Sequence, residues 1–208
     1  MPIEQWLAFV AASAVLVAIP GPTVLLVVSY ALGHGRRSAA ATVAGVALGD
    51  TTAVMASLLG LGALLAASAM LFTVLKWAGA AYLVYLGVRL WRAPVTEAGV
   101  PAAPPAAPWR IFLHAYGVTA LNPKGIVFFV AFLPQFVDRS GDVAWQLLIL
   151  GSTFVVIATA NALAYALLAS GARRAIRRPA VQRAVNRTGG GFLVGAGLLT
   201  VLWQRQHT

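Results

Sequence analysis

The stretch Ile19-Pro20-Gly21-Pro22-Thr23 interrupts an apolar run that extends from Trp6 to Leu32. Two prolines around a glycine cannot carry a helical hydrogen-bond ladder: each proline lacks the N–H donor and crowds the carbonyl four residues back, and the glycine adds backbone freedom. A run of this length and apolarity reads as a membrane span. Hydrocarbon tolerates a broken backbone only where it is buried in protein or lines a wet cavity. The break at Pro20, Gly21 and Pro22 therefore points inward, toward a site.

Composition supports the same solvent. Hydrophobic residues make up 60% of the chain and charged residues 10%, with a mean hydropathy of +0.84, which leaves too little polar surface for a water-soluble fold. The absence of cysteine removes disulfides, thiolate metal sites and thiol redox chemistry. The N-terminus carries Glu4 and no basic residue before the first apolar run, unlike a cleaved signal peptide. The net charge of +10 sits in clusters between apolar runs without an aromatic-basic platform, so it reads as topology and not as nucleic-acid binding.

At ~20 residues per crossing, six apolar segments are expected, over residues 6–32, 39–66, 70–91, 111–137, 143–170 and 188–204. Basic residues fall in alternate connections: Arg36 and Arg37; Arg89, Arg92 and Arg110; and a cluster from Arg173 to Arg187. By the positive-inside rule these face the cytoplasm and both termini face the periplasm. The sixth segment is short for a span, and without it the number is five. The arginine-rich stretch 171–187 resembles a surface helix on anionic lipid, interrupted by Pro179. His114 reads as an interfacial residue near the start of segment four.

Residues 93–108, with five prolines among alanines, read as an extended linker between a first unit, 1–92, and a second, 109–208. The two units match. Gly79, Leu83, Val84 and Gly87 align with Gly189, Leu193, Val194 and Gly197, and segment four is broken by Asn122-Pro123-Lys124 as segment one is by Pro20-Gly21-Pro22. Three spans per unit would invert the second unit relative to the first. The fold class is thus an all-α membrane protein of two inverted three-helix repeats, with segments one and four discontinuous, a pattern of secondary transporters with a midplane site.

Asp50 is the one carboxylate deep in any segment, where a charge costs at least ~2.5–3.5 kcal/mol. It reads as a proton-coupling group or a ligand for a substrate ammonium; the structural alternative is an ion pair with Lys76 or Lys124. Lys76 is near enough to a segment end to snorkel outward. Lys124 is not, and reads as a cation near a substrate carboxylate or as the partner of Asp50. Half-helix N-termini after Pro22 and Pro123 offer N–H groups to an anion, while the carbonyls freed before them could accept from an ammonium. Asn161, in segment five, is placed like Asp50 in the first unit; it reads as a substrate contact or as an interhelical hydrogen bond.

Pro20-Gly21-Pro22, Gly45 to Gly49-Asp50, Leu75-Lys76 through Gly79 to Tyr82, Tyr85 and Gly87, and Asn122-Pro123-Lys124 together resemble the lysine exporter (LysE) superfamily, and within it the homoserine/threonine-resistance (RhtB) branch. The likeness covers nearly the whole chain. It implies a multi-pass exporter of amino acids in the bacterial inner membrane, driven by the proton gradient, and it carries site roles onto Pro20, Gly21, Pro22, Asp50, Lys76, Asn122, Pro123 and Lys124. The expected partners are an amino-acid substrate, protons and membrane lipid, with a homo-oligomer compatible with the sequence and no cofactor required. An intramembrane enzyme would need a nucleophile-base or metal constellation, which the segments lack. A membrane scaffold or assembly subunit without transport activity is the alternative.

Overall fold

In a computed structural model, residues 1–67, 102–138, 141–169 and 178–204 are described, together with positions 70, 74, 77, 81, 84, 85, 87–89 and 91–93. Every regular element among them is helical. Helix α1 covers Ile3–Ala18 and α2 covers Pro22–His34; the backbone between them is extended at Ile19 and Gly21. Pro22 takes the first position of α2, where its missing N–H costs nothing. Gly35, at φ +64°, ends α2 in a conformation that side chains avoid, and a 3₁₀ turn over Gly35–Ser38 leads into α3, Ala39–Ala67.

A second break lies further along the chain. Helix α4 covers Pro108–Ala120, Asn122 caps the next helix, and α5 covers Pro123–Val127. The chain then widens into a π-helical turn over Phe128–Phe132 and tightens into a 3₁₀ turn over Leu133–Phe136. Helix α6, Val143–Leu167, starts at Asp142, whose side chain accepts from the Trp145 N–H at 3.0 Å. Helix α7 covers Pro179–Gln204. Pro179 takes the first position of α7, for which proline is preorganised, and the helix continues into the sixth apolar segment; the first part of the arginine-rich stretch lies outside the described residues.

Among the described residues, three stretches are long and apolar enough to cross a membrane, Pro22–Gly60, Pro108–Phe136 and Val143–Leu167, and Ile3–Ala18 is a shorter apolar helix. The expected third segment lies largely outside the described residues, although its described positions are helical. One of them, Gly87, meets α7: a Cβ on Gly190 would stand 2.6 Å from the Gly87 carbonyl oxygen.

Packing joins elements far apart in sequence. Helix α3 lies on α4 through Gly45 and Gly49, where added Cβ atoms would stand 2.5 Å from the Phe112 carbonyl oxygen and 2.8 Å from Thr119 Cβ. Helix α6 runs along α1, with Trp6 Nε1 donating to Thr153 Oγ1 at 3.2 Å. Phe9, Phe128, Phe129, Phe132 and Phe154 form the main core, with the Phe129 and Phe154 rings edge to face at 4.6 Å. A second cluster of small side chains, Val27, Val46, Ala115 and Ala162 among them, fills the space between α2, α3, α4 and α6.

The linker is not freely extended throughout. Residues 102–107 cross the end of α2: the Ala103 N–H donates to the Ser29 carbonyl at 3.0 Å and the Ala106 N–H to His34 Nε2 at 2.9 Å. Nearby, the Tyr30 hydroxyl is 2.9 Å from His114 Nδ1, which ties α2 to α4.

Candidate functional site

Both helix breaks open onto one cavity of about 50 Å³, space on the scale of a few waters. Gly21, Asp50, Asn122, Lys124 and Asn161 line it, so five of the nine expected site residues meet there. Pro20, Pro22 and Pro123 act through the backbone, by ending one half-helix or starting the next. Lys76 lies outside the described residues.

A helix that stops at Ala18 leaves its last carbonyls without partners inside the helix, and in an apolar surrounding each needs a donor. Side chains of α5 and α6 supply them. Lys124 Nζ donates to the Leu16 and Ile19 carbonyls at 2.9 and 3.0 Å, Asn161 Nδ2 to Val17 at 3.0 Å, and the Tyr165 hydroxyl to Ala18 at 2.9 Å. The carbonyls that the sequence leaves open to a ligand ammonium are therefore occupied. The Lys124 ammonium also sits at the negative end of the α1 dipole, which helps to offset the cost of burying it.

The two breaks are joined directly. Asn122 Oδ1 accepts from the Lys124 N–H at 3.1 Å and so caps α5, while Asn122 Nδ2 donates to Thr23 Oγ1 at 3.1 Å; Thr23 Oγ1 is in turn 3.4 Å from Thr119 Oγ1. By contrast, the first turn of α2 has no side-chain cap. Thr23 and Val24, in that first turn, are among the residues lining the cavity, and an uncapped helix start is compatible with an anion.

Asp50 reaches the cavity from α3 and is only 9% exposed. It makes no direct ion pair with Lys124, whose donors go to backbone carbonyls, although the two charges are close enough to attract each other. Among the described residues nothing donates a hydrogen bond to this carboxylate. The cavity thus holds one acceptor anion, one seated cation and one open helix start, between apolar walls that include Val24, Val27, Val46 and Phe154.

Sequence reasoning missed Thr23, Thr119 and Tyr165. The signals were faint but physical: Thr23 directly follows Pro22, Thr119 is four residues before Pro123, and Tyr165 is one helical turn after Asn161 on the same face of α6.

The LysE type translocator family matches residues 14–203 of the chain. The protein belongs to this family. A homoserine/homoserine lactone efflux protein of Salmonella typhi is 35% identical over 199 residues, covering 96% of this chain and 97% of that one. An uncharacterized membrane protein of Vibrio cholerae is 34% identical over the same length, with the same coverage. A leucine efflux protein of Salmonella choleraesuis is 31% identical over 145 residues, 69% of this chain and 66% of that protein. No solved structure matches the chain. Family membership and the apolar helices together make this LysE-type chain a membrane protein.

Proposed function

We propose that this LysE-type protein exports neutral amino acids or close derivatives, of the homoserine, threonine or leucine kind, from the cytoplasm by exchange for protons. The observation that carries the reading is the cavity at the two helix breaks, in which Asp50, Lys124 and the uncapped start of α2 meet. A zwitterion complements that set. Its carboxylate is suited to the N–H groups at Thr23 and Val24, with the Lys124 charge nearby, and its ammonium to Asp50. The efflux activities named for similar proteins favour the same class of cargo.

The architecture belonging to this reading has six spans, as two inverted three-helix repeats over residues 1–92 and 109–208 joined by 93–108. Both termini face the periplasmic side of the bacterial inner membrane. Supporting it, the breaks fall at matching places, and α3 packs on the first half of one broken span as α6 packs on the first half of the other. Alternating access would expose the cavity to each side in turn.

In the coupling step, a proton arriving from the periplasm neutralises Asp50, weakens its hold on the substrate ammonium and lets the substrate leave outward. Loss of that proton to the cytoplasm restores the carboxylate for the next substrate. The test is efflux of preloaded homoserine, threonine or leucine from cells expressing the protein, with and without collapse of the proton gradient. Asp50→Asn is expected to abolish gradient-dependent efflux while the protein remains in the membrane. Full proton-coupled efflux by Asp50→Asn would exclude the assignment, and no efflux of any amino acid by the unmodified protein would favour a non-transporting subunit.

A further inference from the structure

The Lys124 ammonium is held by chemistry that would suit any primary ammonium. Two carbonyl oxygens, of Leu16 and Ile19, converge on it at 2.9 and 3.0 Å at the negative end of α1. The surroundings are open in one respect: Gly21 has no side chain, and a Cβ placed there would already stand 3.5 Å from Nζ. Asn161 and Tyr165, which meet the neighbouring carbonyls, are neutral and project from the continuous helix α6. Lys124 is the charged donor of the three, and it shares its cavity with Asp50.

We infer that Lys124 is a resident cation that sets the cargo class: its Nζ fills an ammonium seat made by the Leu16 and Ile19 carbonyls, so the cavity admits one ligand cation, at Asp50, and refuses a second. The charges of Asp50 and Lys124 cancel. A zwitterion adds no net charge to that balance, whereas lysine or ornithine brings a second ammonium into an apolar setting where every acceptor at the end of α1 is already taken. Removing the charge at position 124 leaves the cavity with net charge −1, the Ile19 carbonyl unmet and the Leu16 carbonyl with only the Ile19 N–H, at 3.3 Å, as donor. A dibasic amino acid then matches what a neutral one matched before. The cargo switch rests on the export reading above; the binding of a primary ammonium at the seat does not.

The experiment uses the full chain purified in detergent, with melting followed for the unmodified protein and for Lys124→Ala. Propylammonium, which has N–H donors, is compared with tetramethylammonium, which has none, and lysine and ornithine are compared with threonine and homoserine. Lys124→Ala is expected to melt lower, to be restored by propylammonium and not by tetramethylammonium, and to gain apparent affinity for lysine and ornithine by roughly 10- to 100-fold, the scale of charge-assisted hydrogen bonds. The unmodified protein should respond to neither amine and should prefer threonine or homoserine to lysine.

Should Lys124→Ala fail to fold, Lys124→Gln carries the comparison, because its amide still donates to one of the two carbonyls; it should show a smaller gain in the same direction. A variant unmoved by propylammonium, or an unmodified protein stabilised as strongly by lysine as by threonine, overturns the inference. Rescue by propylammonium with no response of either protein to any amino acid upholds the seat but overturns both its role in cargo choice and the export reading.

Discussion

The four residues that end α1, Leu16 to Ile19, expose the economics of a broken span at single-bond scale: each carbonyl is met by a named side chain far away in sequence. Tyr165→Phe removes one donor and keeps the ring, so the Ala18 carbonyl is left short of a partner. The expected loss is about 1 kcal/mol of stability, read as a lower melting temperature in detergent, with substrate-dependent stabilisation retained. Asn161→Leu should cost more, about 1–3 kcal/mol, because it leaves the Val17 carbonyl unmet beside a cavity wall. If the two substitutions proved neutral, the break would not depend on these bonds. None of the pairings was legible in the sequence. Asp50, Asn122, Lys124 and Asn161 stood out because polar groups are expensive in an apolar segment, but composition does not say which donor meets which carbonyl. Tyr165 resembled an ordinary aromatic in an apolar run, and only the position of Ala18 beside it gives its hydroxyl a task.

At the scale of elements, the glycines of α3 set how closely it can approach α4. At Gly49 the nearest atoms to a new Cβ would be Thr119 Cβ at 2.8 Å, the Tyr116 carbonyl oxygen at 2.9 Å and the Ala120 nitrogen at 3.0 Å, two of them backbone atoms that cannot rotate away. Gly49→Val should therefore destabilise the protein by about 1–3 kcal/mol or more. It should also impair efflux, since it pushes the neighbouring Asp50 away from the cavity; a variant with unchanged melting and unchanged efflux would mean that the seam can relax. Both breaks and the limits of α3 and α6 were readable from proline chemistry and apolar length. Two things were not. The Phe128–Phe132 turn widens to a π-helix where five phenylalanines must interlock, a demand of packing that no local propensity records. Residues 102–107 read as part of an extended, semi-rigid linker because proline and alanine favour extended chain, and that extended backbone leaves N–H groups available, of which those of Ala103 and Ala106 find acceptors on α2 that the sequence does not indicate.

For the whole molecule, the proposed six-span arrangement can be tested side by side with its orientation. The chain has no cysteine, so a single introduced one is an unambiguous label. Cysteines placed at Arg37 and Arg110 should react with an impermeant thiol reagent only from the cytoplasmic face, and cysteines at Gln5 and Gly141 only from the periplasmic face. Accessibility of Gln5 and Gly141 from opposite faces would break the inverted-repeat scheme. The two breaks were visible in the sequence; the packing of α3 on α4, where Gly45 and Gly49 close on Phe112, Tyr116 and Thr119, was not, because nothing local to either helix records its partner.

That cross-packing has a consequence for how the protein is made. Gly45 and Gly49 leave the ribosome well before Phe112, Tyr116 and Thr119, the residues against which they close. Helix α3 is therefore complete before the surface on which its glycine seam closes has been made, and that seam cannot take its final packing until α4 arrives. Synthesis and packing are thereby separated in time, and a chain that stopped short of α4 would leave the glycine seam of α3 without the surface it closes on.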